Sequence, residues 1–131
     1  MKIALALLFS LLSHAHEGHH GPSEKMAKHG GVLKHGKVLM AELVAEDTGV
    51  KIYALNSEGE ALPATDVALD AKASSVSDGK GKTIVTSFVQ QGELYSATFD
   101  RKSSHRHQVT VVFKYKNKSE KFVWQVEATA E

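Results

Sequence analysis

The sequence predicts an all-β fold built from two packed antiparallel sheets. Short runs rich in Val, Ile, Tyr, Phe and Thr recur along most of the chain, Gly, Pro, Asp and Asn separate them, and no segment makes a convincing amphipathic helix. About seven strands are expected between residues 37 and 131, ahead of which lie a leader and a polar arm.

The leader is Met1 to Ala15: Lys2, then an apolar run from Ile3 to Leu12 broken by Ser10, then Ser13-His14-Ala15 with small residues at both positions a signal peptidase inspects. Cleavage is expected between Ala15 and His16. The apolar run is about half the roughly 20 residues a bilayer span needs, so no stable membrane insertion is expected after processing. These features predict an exported, periplasmic protein, with secretion beyond the envelope as the other destination. There is no cysteine, and hence no disulfide framework, thiolate metal site or lipid-accepting residue.

Residues 16 to 36 are rich in Gly, His and Lys, contain Pro22 and lack apolar periodicity, which predicts a disordered His-rich arm that becomes ordered only as it nears the core. Val38 to Glu46 and Val50 to Asn56 then read as a hairpin around Asp47-Thr48-Gly49. Ala64 to Val76 is ambiguous, because its alanines favour a helix while Val67, Leu69, Ala71 and Ala73 alternate with more polar neighbours; it is read as a strand. Thr83 to Val89 and Glu93 to Phe99 flank Gln90-Gln91-Gly92 as a further hairpin, and Gln108 to Tyr115 and Lys121 to Glu127 flank Lys116 to Glu120 as the last. In that last pair Val109, Val111, Phe113 and Tyr115 share one face, and Phe122, Trp124 and Val126 share another, so these faces should form the core. The strand count and spacing point to an immunoglobulin-like sandwich.

Composition excludes several functions. With Lys2 removed, basic and acidic residues balance at 15 each, which leaves no excess positive charge for nucleic acid. No cysteine nucleophile, Gly-x-Ser-x-Gly elbow, phosphate-binding glycine loop or His-Glu-x-x-His helix is present, so no enzymatic activity is expected. An amino-terminal histidine on a β-sandwich resembles the copper brace of oxidative polysaccharide-cleaving enzymes, but the chain is short for that group and lacks an evident flat aromatic surface.

Histidine is the residue that carries chemistry here. After cleavage His16 offers its α-amine and imidazole together, a chelating geometry that favours Cu(II), and His19 and His20 lie close enough on a flexible arm to join it, with Glu17 as an oxygen donor. A nitrogen-rich site without sulfur binds copper(II) above zinc or nickel. His29 and His35 continue the cluster, and His105 and His107, two apart at the entrance of a strand, are expected to face one side as a second half-site. Met26 and Met40 are soft donors suited to Cu(I), although Met40 falls within a strand and reads as core.

The stretch from about Lys28 to Ala64 carries His29-Gly30-Gly31, Ala41-Glu42-Leu43-Val44, Val50-Lys51-Ile52-Tyr53 and Ser57-Glu58-Gly59-Glu60-Ala61-Leu62-Pro63. It resembles small periplasmic β-domains found with heavy-metal efflux systems. The resemblance implies a metal-binding or relay role beside an efflux pump or its adaptor, and places His29, Gly30 and Gly31 near a site. The lack of a Met-rich arm departs from the silver and copper adaptors. The expected function is therefore capture of a metal ion by ligand exchange. The competing expectation, from a different class, is a β-sandwich interaction module whose histidines are polar tail residues.

Overall fold

The computed structural model describes residues 27–128. Ten strands form among the described residues, where about seven were expected: β1 (Val32–His35), β2 (Met40–Glu46), β3 (Gly49–Leu55), β4 (Val67–Leu69), β5 (Ser75–Ser77), β6 (Thr83–Val85), β7 (Val89–Gln91), β8 (Leu94–Thr98), β9 (Arg106–Tyr115) and β10 (Lys118–Glu127). One sheet has the order β1-β2-β3-β8-β7 and the other β10-β9-β5-β6, with β4 also paired to β9. All pairings are antiparallel. The architecture is an all-β sandwich of two sheets. No helix among the described residues is long and apolar enough to cross a membrane.

The core is where strand alternation places it. Val109, Val111 and Phe113 of β9 and Phe122, Trp124 and Val126 of β10 are all buried, and they face Ala41, Leu43, Val50 and Ile52 of the other sheet. Tyr115, the last residue of the β9 series, is half-buried against this cluster. Aromatic rings knit the centre, with Tyr95 tilted on Phe113 at 5.2 Å and Phe122 stacked on Trp124 at 6.0 Å between centroids.

The first hairpin forms as expected, with Glu46 opposite Gly49 across Asp47-Thr48. A Cβ at Gly49 would meet the Ala97 carbonyl oxygen, and its φ is 147°, so glycine alone lets β8 approach here. Two strand expectations are corrected. Thr83 to Val89 is not one strand: β6 pairs with β5 in one sheet and β7 with β8 in the other. The chain crosses between sheets at residues 86–88, where Phe88 turns in to pack on the core. Ala64 to Val76 also divides, into β4 and β5, which pair with opposite ends of the same β9 edge. Between them buried Ser74 donates its hydroxyl to the Asp70 carbonyl and accepts the Val112 N–H, standing in for the interrupted ladder.

The last loop is shorter than Lys116 to Glu120. Lys118 pairs with Tyr115, so the turn is Lys116-Asn117 alone, both in the left-handed region at φ 54° and 65°. This is the type I′ pattern, which Asn-Gly fits best. The double substitution Lys116→Asn with Asn117→Gly is expected to stabilise the domain by about 0.5–1 kcal/mol, measured as a rise in the denaturant midpoint at unchanged slope.

The arm expected over residues 16 to 36 does not run its full length, because β1 lies within it and pairs with β2. Two carboxylates pin the chain on either side of β1: Glu42 at His29 and Gly31 before it and, from the opposite sheet, Glu120 after it, whose oxygens each accept one backbone N–H of Lys37 and Val38 at 2.8 Å. Burial would raise the Glu120 carboxyl, but those backbone bonds outweigh it and hold the group below the usual carboxylate range.

Candidate functional site

Alternation along β2 turns Ala41 and Leu43 into the core and leaves Glu42 on the outer face. Its cross-strand neighbours there are Leu33 on β1 and Tyr53 on β3. A carboxylate on an outer face is normally solvated, yet Glu42 is fully buried.

The turn at residues 27 to 31 supplies its partners. Glu42 Oε2 accepts the backbone N–H of His29 at 2.9 Å and of Gly31 at 2.8 Å, while Oε1 lies 2.9 Å from His29 Nδ1. Three donors thus meet one carboxylate, the condition under which a buried anionic group is tolerated. Gly31 makes the approach feasible: a Cβ there would collide with the Leu43 carbonyl oxygen. The His29 ring lies flat on Tyr53, with centroids 3.7 Å apart and planes 2° from parallel.

This arrangement fixes the imidazole in position and in tautomer. An ionised carboxylate only accepts, so in the neutral ring the hydrogen sits on Nδ1 and the lone pair on Nε2. Nε2 has no hydrogen-bond partner among the described residues, and the His29 side chain is 37 % exposed. A half-exposed imidazole with a bare nitrogen, backed by a carboxylate on the other nitrogen, is the geometry that orients metal-bound histidines. Alone it is one ligand: no group of three or more His, Asp or Glu side chains able to hold an ion occurs among the described residues.

The remaining candidate residues lie apart. His16, His19, His20, Glu17 and Met26, and the leader at residues 1 to 15, are outside the described residues. His35 is exposed at the end of β1 opposite Met40, and Met40 is buried. The half-site expected from His105 and His107 is corrected. His105 precedes β9 and is exposed, whereas His107 is fully buried as the first inward residue of that strand.

His107 packs its ring on Phe99 at 4.8 Å and has Nε2 3.3 Å from Ser103 Oγ. Burial holds its pKa below the ordinary histidine value, and the nearby Arg101 charge acts in the same direction. The same alternation that marks Val109, Val111 and Phe113 as core reaches back to His107.

Sequence reading missed Glu42 and Tyr53 as site residues, although both stand inside the quoted motifs. The available signal was a Glu between two core positions, directly cross-strand from a tyrosine. His29-Gly30-Gly31, the Glu42 segment and the Tyr53 segment meet at one point on the outer face of the sheet. No family model, curated protein or solved structure matches this chain.

Proposed function

We propose that the chain is an exported metal-binding protein that captures Cu(II), with Zn(II) and Ni(II) as weaker cargoes, and buffers the ion or passes it to an efflux adaptor or pump. His29 Nε2 is the ligand fixed by the folded domain, and His16, His19 and His20 of the arm are the ligands brought to it. The mechanism is ligand exchange between imidazoles, with no bond-breaking chemistry. An immunoglobulin-like sandwich serves here as the rigid support that keeps one imidazole aimed outward while the others arrive on the arm.

The observation that carries this reading is the pairing of His29 Nδ1 with the buried Glu42 carboxylate, which leaves Nε2 of this part-exposed side chain without a hydrogen-bond partner among the described residues. A merely polar tail histidine would need no buried carboxylate behind it. His35, His105 and His107 are not assigned to the site.

Copper titration of the mature protein tests it. Removing a ligand is expected to weaken Cu(II) binding at least about tenfold in His29→Ala, and deletion of residues 16 to 20 is expected to abolish most high-affinity binding. If stoichiometric copper leaves the thermal midpoint and every histidine NMR signal of the mature protein unchanged, the interaction-module reading replaces this one.

A further inference from the structure

The end of the sandwich away from the last hairpin holds two buried nitrogen groups that the proposed metal site does not use. Arg101, in the connection from β8 to β9, is 7 % exposed, and His107 is fully buried. Arg101 donates from Nη1 to the Glu46 carbonyl at the end of β2 (3.0 Å) and from Nη2 to the Glu127 carbonyl at the end of β10 (2.6 Å). One guanidinium therefore ties the edge of one sheet to the second strand of the other.

It also lines a mainly apolar recess of about 500 Å³ between β1, β2 and β10, with Val32, Leu43, Trp124 and Val126. Arg101 Nε and His107 Nδ1 are both buried without a hydrogen-bond partner among the described residues. Ser103 decides the state of the ring: its hydroxyl donates to the Asp100 carbonyl at 2.7 Å, so toward His107 it can only accept. Nε2 then carries the hydrogen and Nδ1 the lone pair.

We propose that Arg101 and neutral His107 form an acid-released latch, which holds the ends of β2 and β10 together beside the apolar recess and lets them part when His107 gains a proton. In the neutral state His107 Nδ1 is an acceptor without a partner among the described residues, and the Arg101 charge acts on the ring. A proton on Nδ1 replaces that acceptor with a second buried cation and a donor that has nothing to bond. The carboxylates facing the ring, Asp78 after β5 and Asp100 before Arg101, favour the proton, but burial and Arg101 oppose it, and the opposition prevails. From β10 the neighbour is neutral Val126, and on β9 itself the nearest charge, Arg106, is drawn outward to Glu127.

The direction with pH follows. The closed state disfavours a proton that the open state accepts at the ordinary histidine value, so the latch is intact above about pH 6.5 and weakens as pH falls. The ratio of open to closed molecules is expected to rise by up to about tenfold per pH unit over that interval. This inference does not depend on the metal reading.

Amide hydrogen exchange on the metal-free mature protein in chelator, from pH 7.5 to 5 and corrected for intrinsic exchange, tests it. Protection around Glu46 and Glu127 is expected to fall with pH in the wild type and to stay level in His107→Phe, whose apolar ring suits the contact with Phe99. Arg101→Met is expected to show at pH 7 the exchange that the wild type shows at pH 5. An NMR titration of the His107 ring in the wild type guards against a variant that fails to fold. Loss of protection in parallel in the wild type and His107→Phe, or a ring that titrates while protection at both sites stays constant, would overturn the proposal.

Discussion

Glu42→Gln is expected to weaken Cu(II) binding by about 10- to 100-fold while leaving the fold in place, because it removes the acceptor that fixes the His29 tautomer. The amide is nearly the same shape as the carboxylate. With its oxygen where Oε2 stands, it still accepts the N–H groups of His29 and Gly31, and its NH2 then points at His29 Nδ1. A donor there forces Nδ1 to accept, which moves the ring hydrogen to Nε2 and removes the outward lone pair.

Nitrogen NMR of the imidazole reads this tautomer directly, and copper titration reads its consequence. An unchanged affinity alongside a reversed tautomer would show that Nε2 is not a ligand. Glu42→Ala is a harsher change, since it strands three part-buried donors at once and is expected to cost about 3 kcal/mol of stability. Comparing the two variants separates the effect on the ligand from the effect on the fold.

Trp124→Ala is expected to lower stability by about 3–5 kcal/mol, a large share of the roughly 5–15 kcal/mol that domains possess. Trp124 is buried, stacked on Phe122, and donates Nε1–H to the Val32 carbonyl at 3.1 Å. That bond crosses from β10 to β1, so the side chain both fills the core and anchors the strand that follows the His29 turn. Trp124→Phe keeps most of the volume and gives up the bond, with an expected loss nearer 1 kcal/mol beyond its packing change. Chemical denaturation gives both values, and faster amide exchange confined to β1 in the Phe variant would identify the anchor. If β1 exchange is unaffected, pinning by Glu42 and Glu120 suffices without it.

Local sequence does not record which neighbours a strand residue will face. Polar residues at exposed strand ends, such as Lys118 and Ser119, look like loop in a sequence because nothing on a solvated edge demands apolar side chains. The Thr83–Val89 run looked continuous because strand propensity does not record a change of sheet. His105 and His107 looked alike because both are histidines near a strand entrance. The boundary of β9 falls between them, and only His107 inherits the inward alternation.

What the sequence alone determined is the all-β class, the first and last hairpins, and which faces of β9 and β10 turn inward. These follow from the two-residue period of an extended chain and from local turn chemistry, both of which are written in neighbouring residues. The tertiary structure decided that Glu42 is buried, that His29 thirteen residues upstream covers it while resting on Tyr53, and that Arg101 reaches carbonyls on both sheets. Such contacts depend on strand register and on which outer face a returning segment covers, and neither quantity is local to any stretch of residues.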